Sequence, residues 1–320
     1  MLKSGVWVIR KLRARIPQDS FEVSINGRSM GMTKLLAVAR RLPDSERVPQ
    51  VLVLYASGYL RLKTGADPTP PLPFGQSLVL GPAIWVSSSA FPDPTLFFHP
   101  QLQRVAIEAS PTDEDGTPGL VIRVTAANAK LSPGSTVTNR IMDLAWTLTL
   151  EQVSDRTSTL AVAGRFEFTE EVIPDPGKTA EAQSLRLLQI STMFIDRRRH
   201  DVDALRWRTT EGVMTACYTP DLAQGLLPAV PSWLDPETPR FDSLQTDAAA
   251  APNGPTPSYR VMIDATTGPL SGPLAVRAFL NRSRKQSDDN LGLWVFQQPS
   301  ARIARGTTGS IDYRVIAGSV

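Results

Sequence analysis

The chain has 320 residues, 42% hydrophobic and 20% charged, enough to bury a substantial core in an ordinary folded protein. Its 34 basic and 31 acidic residues leave a formal charge of +3, which argues against a nucleic-acid binder and allows only a weak attraction for anions. One cysteine (Cys217) and two histidines (His99, His200) exclude an internal disulfide and any zinc site built from cysteines or three histidines.

The first residues, MLKSGVWVIRKLRARIPQDS, hold no apolar run long enough for a signal peptide. No stretch approaches the ~20 apolar residues of a membrane-spanning helix. The expectation is a cytoplasmic protein without a membrane partner, although a secreted form stripped of its leader would read the same way. VWVIRKLRARI and FEVSING then alternate as strands do. TKLLAVARRL, ahead of Pro43, fits a helix capped by Thr33 as well as it fits a strand.

Residues 52–63, LVLYASGYLRLK, read as one strand with Leu52, Leu54, Ala56, Gly58, Leu60 and Leu62 on one face. The other face carries Val53, Tyr55, Ser57, Tyr59, Arg61 and Lys63. Phenol rings stack on sugars and arginine forks onto carboxylates, so Tyr55, Tyr59 and Arg61 are candidate saccharide-binding residues. Trp85, beyond a Gly-Pro break in SLVLGPAIWVSSS, joins them as a second stacking platform. Prolines crowd residues 66–100 and 220–257, which read as long loop excursions. His99, between aromatics and Pro100, reads as a packed structural residue.

RVAIEAS, GLVIRVTAANAKL, DLAWTLTLEQV and STLAVAGRFEFTEEV continue the alternation and place Glu108, Asp143 and Glu167 on strands. Glycoside hydrolysis needs two carboxyl groups flanking the bond, and sequence does not say which two meet. DEDG at 113–116 and SDDN at 287–290 offer oxygen ligands without EF-hand spacing, so no cofactor is expected and Ca2+ has only weak support.

SLRLLQISTMF, 184–194, is again ambiguous between helix and strand. It leads into MFIDRRRHDVDALRWRT, the densest polar cluster of the chain. His200 is suited to proton transfer near neutral pH, and a carboxylate from Asp196, Asp201, Asp203 or Glu211 would orient it. Cys217 reads as a small buried hydrophobe. SYRVMIDA, LAVRAFLNRS, LGLWVF and IDYRVIAG close the chain as strands. Phosphate-cradling, dinucleotide, HExxH and GxSxG motifs are missing.

The predicted fold is therefore all-β: one large antiparallel β-sandwich over 1–320, of jelly-roll or supersandwich type, with long proline-rich loops and little helix. The predicted function is a carbohydrate-active enzyme, a glycoside hydrolase or polysaccharide lyase, with its saccharide across a concave sheet face. Its rivals are a lectin-like module and a structural assembly protein, and a homo-oligomer is compatible with all three.

Overall fold

The computed structural model describes residues 7–12, 20–40, 50–56, 60–64, 77–80, 99–112, 118–130, 142–152, 157–169, 171, 188–196, 202–217, 225–245, 257–281, 290–297 and 303–319. Among them are twenty strands, one 3-10 turn and no α-helix.

The strands form two sheets. The nine-stranded sheet runs in the order β1 (Trp7–Leu12), β4 (Leu35–Arg40), β5 (Gln50–Tyr55), β6 (Leu60–Thr64), β7 (Ser77–Leu80), β12 (Leu188–Asp196), β19 (Asn290–Gln297), β18 (Ala275–Asn281), β15 (Gly225–Trp233). The eleven-stranded sheet runs β14 (Gly212–Cys217), β13 (Val202–Thr209), β16 (Arg240–Gln245), β17 (Pro257–Thr267), β20 (Thr308–Ser319), β11 (Thr157–Phe168), β10 (Met142–Gln152), β9 (Pro118–Lys130), β8 (His99–Thr112), β2 (Phe21–Ile25), β3 (Arg28–Thr33). Pairing is antiparallel except between β2 and β8. The β2–β3 hairpin turns at Asn26 and Gly27, whose φ of 46° and 77° suit the Asn-Gly pair.

Period-two alternation explains the long ladders. Met142, Leu144, Trp146, Leu148 and Leu150 are buried along β10, while Asp143, Ala145, Thr147 and Thr149 on the other face are half-buried or exposed. Leu120, Ile122, Val124 and Ala126 of β9, and Leu160, Val162, Phe166 and Phe168 of β11, bury the same face. One hydrophobic cluster joins these side chains to Leu36, Val38, Leu52, Leu54, Val276, Leu293 and Val295 of the nine-stranded sheet. Each such leucine or valine contributes about 1.5–3 kcal/mol by leaving water.

The two sheets are also stitched by polar contacts at one side. After Trp233 the chain leaves β15, Leu234 forms an isolated bridge with Thr209, and the Asp235 N–H donates to the Arg208 carbonyl before β16 begins. The Trp207 indole N–H donates to Ser232 Oγ at 2.8 Å, again from one sheet to the other. At the same end of the β18–β19 ladder, Gln297 of β19 holds the 3-10 turn Gly268–Leu270. Its amide nitrogen donates to the carbonyls of Pro269 and Leu270 at 2.8 and 3.0 Å, and its oxygen accepts from the Gly272 N–H at 2.8 Å. Gly268 has φ of 64°, and a Cβ there would fall 2.3 Å from the Thr308 carbonyl oxygen. No other residue fits.

One ambiguity is settled and three expectations are corrected. TKLLAVARRL is strand β4, because β1 and β5 pair with it on both sides. LVLYASGYLRLK is two strands, β5 and β6, joined as a hairpin with Leu54 opposite Leu60 and Val53 opposite Arg61. The excursion at 220–257 holds β15 and β16. Pro228 and Pro231 are tolerated because β15 lies at a sheet edge and its register breaks between Leu227 and Ser232. The 66–100 stretch likewise contains β7 and the start of β8. Finally, Cys217 is exposed, since β14 is an edge strand that packs only its alternate positions, Met214 and Ala216, against the core.

Candidate functional site

The solvent-exposed face of the eleven-stranded sheet contains a groove of about 670 Å³. The sheet register builds it directly. Thr125, Ala145, Arg165, Ser310 and Thr267 stand side by side across β9, β10, β11, β20 and β17. The next row along the strands is Asp143, Glu167 and Thr308, and Gln103 of β8 closes one side. The depression sits where a small side chain, Ala145, interrupts a row of longer ones. On the inner face, the Phe166 ring lies across Gly309, where a Cβ would fall 2.2 Å from its Cζ. That ring packs edge-on against Phe168, with centroids 5.8 Å apart. The groove floor is thus a rigid aromatic layer.

Asp143 and Glu167 are directly opposite across the β10–β11 ladder. Opposed residues of an antiparallel pair have Cβ atoms roughly 4.5–5.5 Å apart, and like charges in that position weaken a sheet. Asp143 is half-buried and Glu167 exposed. Arg165 is fixed by Asp312, with Nη1–Oδ1 at 2.5 Å and Nη2–Oδ2 at 3.3 Å, and Nη1 also reaches the Gly164 carbonyl at 2.8 Å. Donation to the Asp312 carboxylate pushes the Arg165 pKa further up, so its charge is permanent. Thr267 and Ser310 share a hydroxyl hydrogen bond of 2.8 Å. The lining is therefore a guanidinium, two carboxylates, an amide and several hydroxyls, a set that hydrogen-bonds polyols.

The residues singled out in the sequence fare differently. Asp143 and Glu167 come together. Glu108 pairs instead with Arg123 at 3.2 Å, two ladder steps from the groove or more. Tyr55 is half-buried and packs in a small second cluster with Leu35, Ala37 and Val53. Arg61 stands opposite Val53 and Val79 in the nine-stranded sheet. Tyr59, Trp85, His200 and Asp201 lie outside the described residues, as do the DEDG and SDDN turns up to Asp289. Asp196 ends β12 in one sheet and Asp203 falls in β13 of the other, so the histidine-containing segment connects the two sheets. Glu211 is exposed in the β13–β14 turn. It is separated from the start of β13 by the whole strand, about 20 Å or more, which removes it as a partner for that segment.

Among the described residues no group of three His, Cys, Asp or Glu could hold a metal ion. Arg165, Thr125, Thr267, Thr308, Ser310 and Gln103 carried no signal in the sequence, because each is an ordinary outward residue until the register aligns them. No protein-family model and no curated protein matches the chain in sequence.

Proposed function

We propose that the two sheets stack as one large β-sandwich domain and that the protein is a carbohydrate-active enzyme binding a saccharide in the Asp143–Glu167 groove. The observation that carries this reading is the carboxylate pair itself: Asp143 and Glu167 are directly opposite across the β10–β11 ladder, with Cβ atoms at the ~4.5–5.5 Å of opposed strand residues, and both line a polar groove. Carboxyl groups carried on such neighbouring positions can reach the ~5–5.5 Å separation that retaining hydrolysis of a glycosidic bond uses.

In this reading one carboxyl group protonates the leaving glycosidic oxygen while the other attacks the anomeric carbon. The first then takes a proton from the water that releases the sugar. Arg165, Thr125 and the Thr267–Ser310 hydroxyl pair orient the ring hydroxyls. This reading assigns the chemistry to Asp143 and Glu167 in place of the His200 segment and the Tyr55 wall.

The test is turnover on a panel of neutral and acidic polysaccharides, followed by product analysis. Asp143→Asn and Glu167→Gln should each lower turnover by about 10²- to 10⁴-fold with binding retained. Binding by the wild type without cleavage would make the groove a lectin-like site. Absence of binding to every polysaccharide would end the saccharide reading.

A further inference from the structure

Beyond the groove, the same exposed face turns basic. Arg206, Asp242 and Arg260 form one row across β13, β16 and β17. In the next row, Arg240, Met262 and Arg314 are in register across β16, β17 and β20, and Arg208 lies one step beyond the Trp207–Phe241 pair on β13. The two rows hold five arginines and one aspartate. That aspartate, Asp242, is buried and serves as an anchor: Arg260 Nε donates to it at 2.8 Å and Arg240 Nε lies 3.4 Å away. Asp264, on the bulge beside Arg314, accepts a forked pair of bonds from it at 2.7–3.0 Å. Asp235, past the end of the rows, lies within the field of Arg208.

Arg240, Arg260 and Arg314 are pre-oriented by Asp242 and Asp264, and Arg260 spends only Nε on Asp242 among the described residues. Its terminal nitrogens suit a second carboxylate, which a guanidinium grips as a fork. The array also runs on from the groove. Ser310, Asp312 and Arg314 are successive outward residues of β20, so Arg165 with its partner Asp312 bridges the groove and the arginine rows. From Ser310 to Arg314 is about 13 Å, and from β20 to β13 about 14 Å. A chain of several sugar rings spans that distance.

We propose that the arginine rows are a subsite for a carboxylated polysaccharide, so that the saccharide of the groove is an acidic one. This rests on the reading of the groove given above. Carboxylates interleaved with the arginines, as Asp242 and Asp264 are, suit a polymer with at most one charge per ring. A nucleic-acid backbone, with one charge per ~1.7 Å of duplex, calls for an uninterrupted basic surface.

The experiment measures binding of the full chain to polygalacturonate and alginate, and to their methyl esters, which keep the backbone and lose the charge. The acidic forms should bind about tenfold tighter than the esters. Arg206→Gln/Arg208→Gln, which leaves the anchors of Asp242 in place, should abolish that preference and leave ester binding unchanged. Equal binding of acid and ester overturns the arginine subsite and leaves the groove reading standing. No binding of either form overturns the arginine subsite and leaves the groove reading to the neutral polysaccharides of the panel. Binding of polyphosphate or a single-stranded polynucleotide as tight as that of polygalacturonate makes the rows a general anion patch and overturns the assignment to a polysaccharide.

Discussion

Trp146, in the middle of the eleven-stranded sheet, and Trp207, on its β13–β16 flank, are both 2% exposed, yet they are held differently. Trp146 sits in β10 between unbroken ladders to β9 and β11, and its indole N–H has no acceptor among the described residues. Trp207 donates to Ser232 of the other sheet, beside the Thr209–Leu234 bridge and the Asp235–Arg208 backbone bond. The middle is thus specified by apolar packing and register, and the flank by directional polar contacts that tie sheet to sheet. The proposed sites follow the same division: the groove lies on the regular middle, and the arginine rows spread over the flank.

The largest expected effect lies in the middle. Trp146→Ala should cost about 3–5 kcal/mol in urea denaturation, because long paired strands on both sides prevent the cavity from collapsing. A smaller cost there would mean the middle is as adaptable as the flank. Next comes Tyr313 of β20, also in the packed middle, whose phenol pKa is pushed up by burial. The protonated phenol is favoured in the folded state, so this contribution is whole below the ordinary tyrosine value of about 10 and is lost as pH rises above it. Tyr313→Phe should flatten the alkaline fall in the urea midpoint, and an unchanged profile would remove Tyr313 as its cause. The smallest effect tests the contrast itself. Trp207→Phe should cost about 1 kcal/mol more than Trp146→Phe, the worth of one hydrogen bond. Equal costs would erase the distinction between the two regions.

Much of the fold was legible in side-chain alternation. Residues 142–150 and 160–168 announce strands with one buried face, and both bury the expected residues. The hairpin within 52–63 was not legible. Its turn keeps Leu54 opposite Leu60, so the even positions share one sheet face whether the segment is one strand or two. Local pattern is blind to that fold-back. The helix-or-strand ambiguity of TKLLAVARRL is resolved by its partners β1 and β5, which no local window contains. In the site, Asp143 and Glu167 were visible as strand carboxylates but not as a pair, because their meeting depends on a register set across β10 and β11. Tyr55 misled because its face of β5 was read as open, whereas Ala37 and Val53 make a second apolar patch there.

The position of β20 bears on how the chain reaches this structure. It lies between β11 and β17, although more than 130 residues separate it from β11 in the chain. Without it the eleven-stranded sheet would be two halves, each with an unsatisfied backbone edge open to foreign strands. β20 is therefore the keystone between the two halves. Its arrival closes two aggregation-prone borders at once and makes docking of a distant segment the slow step of assembly.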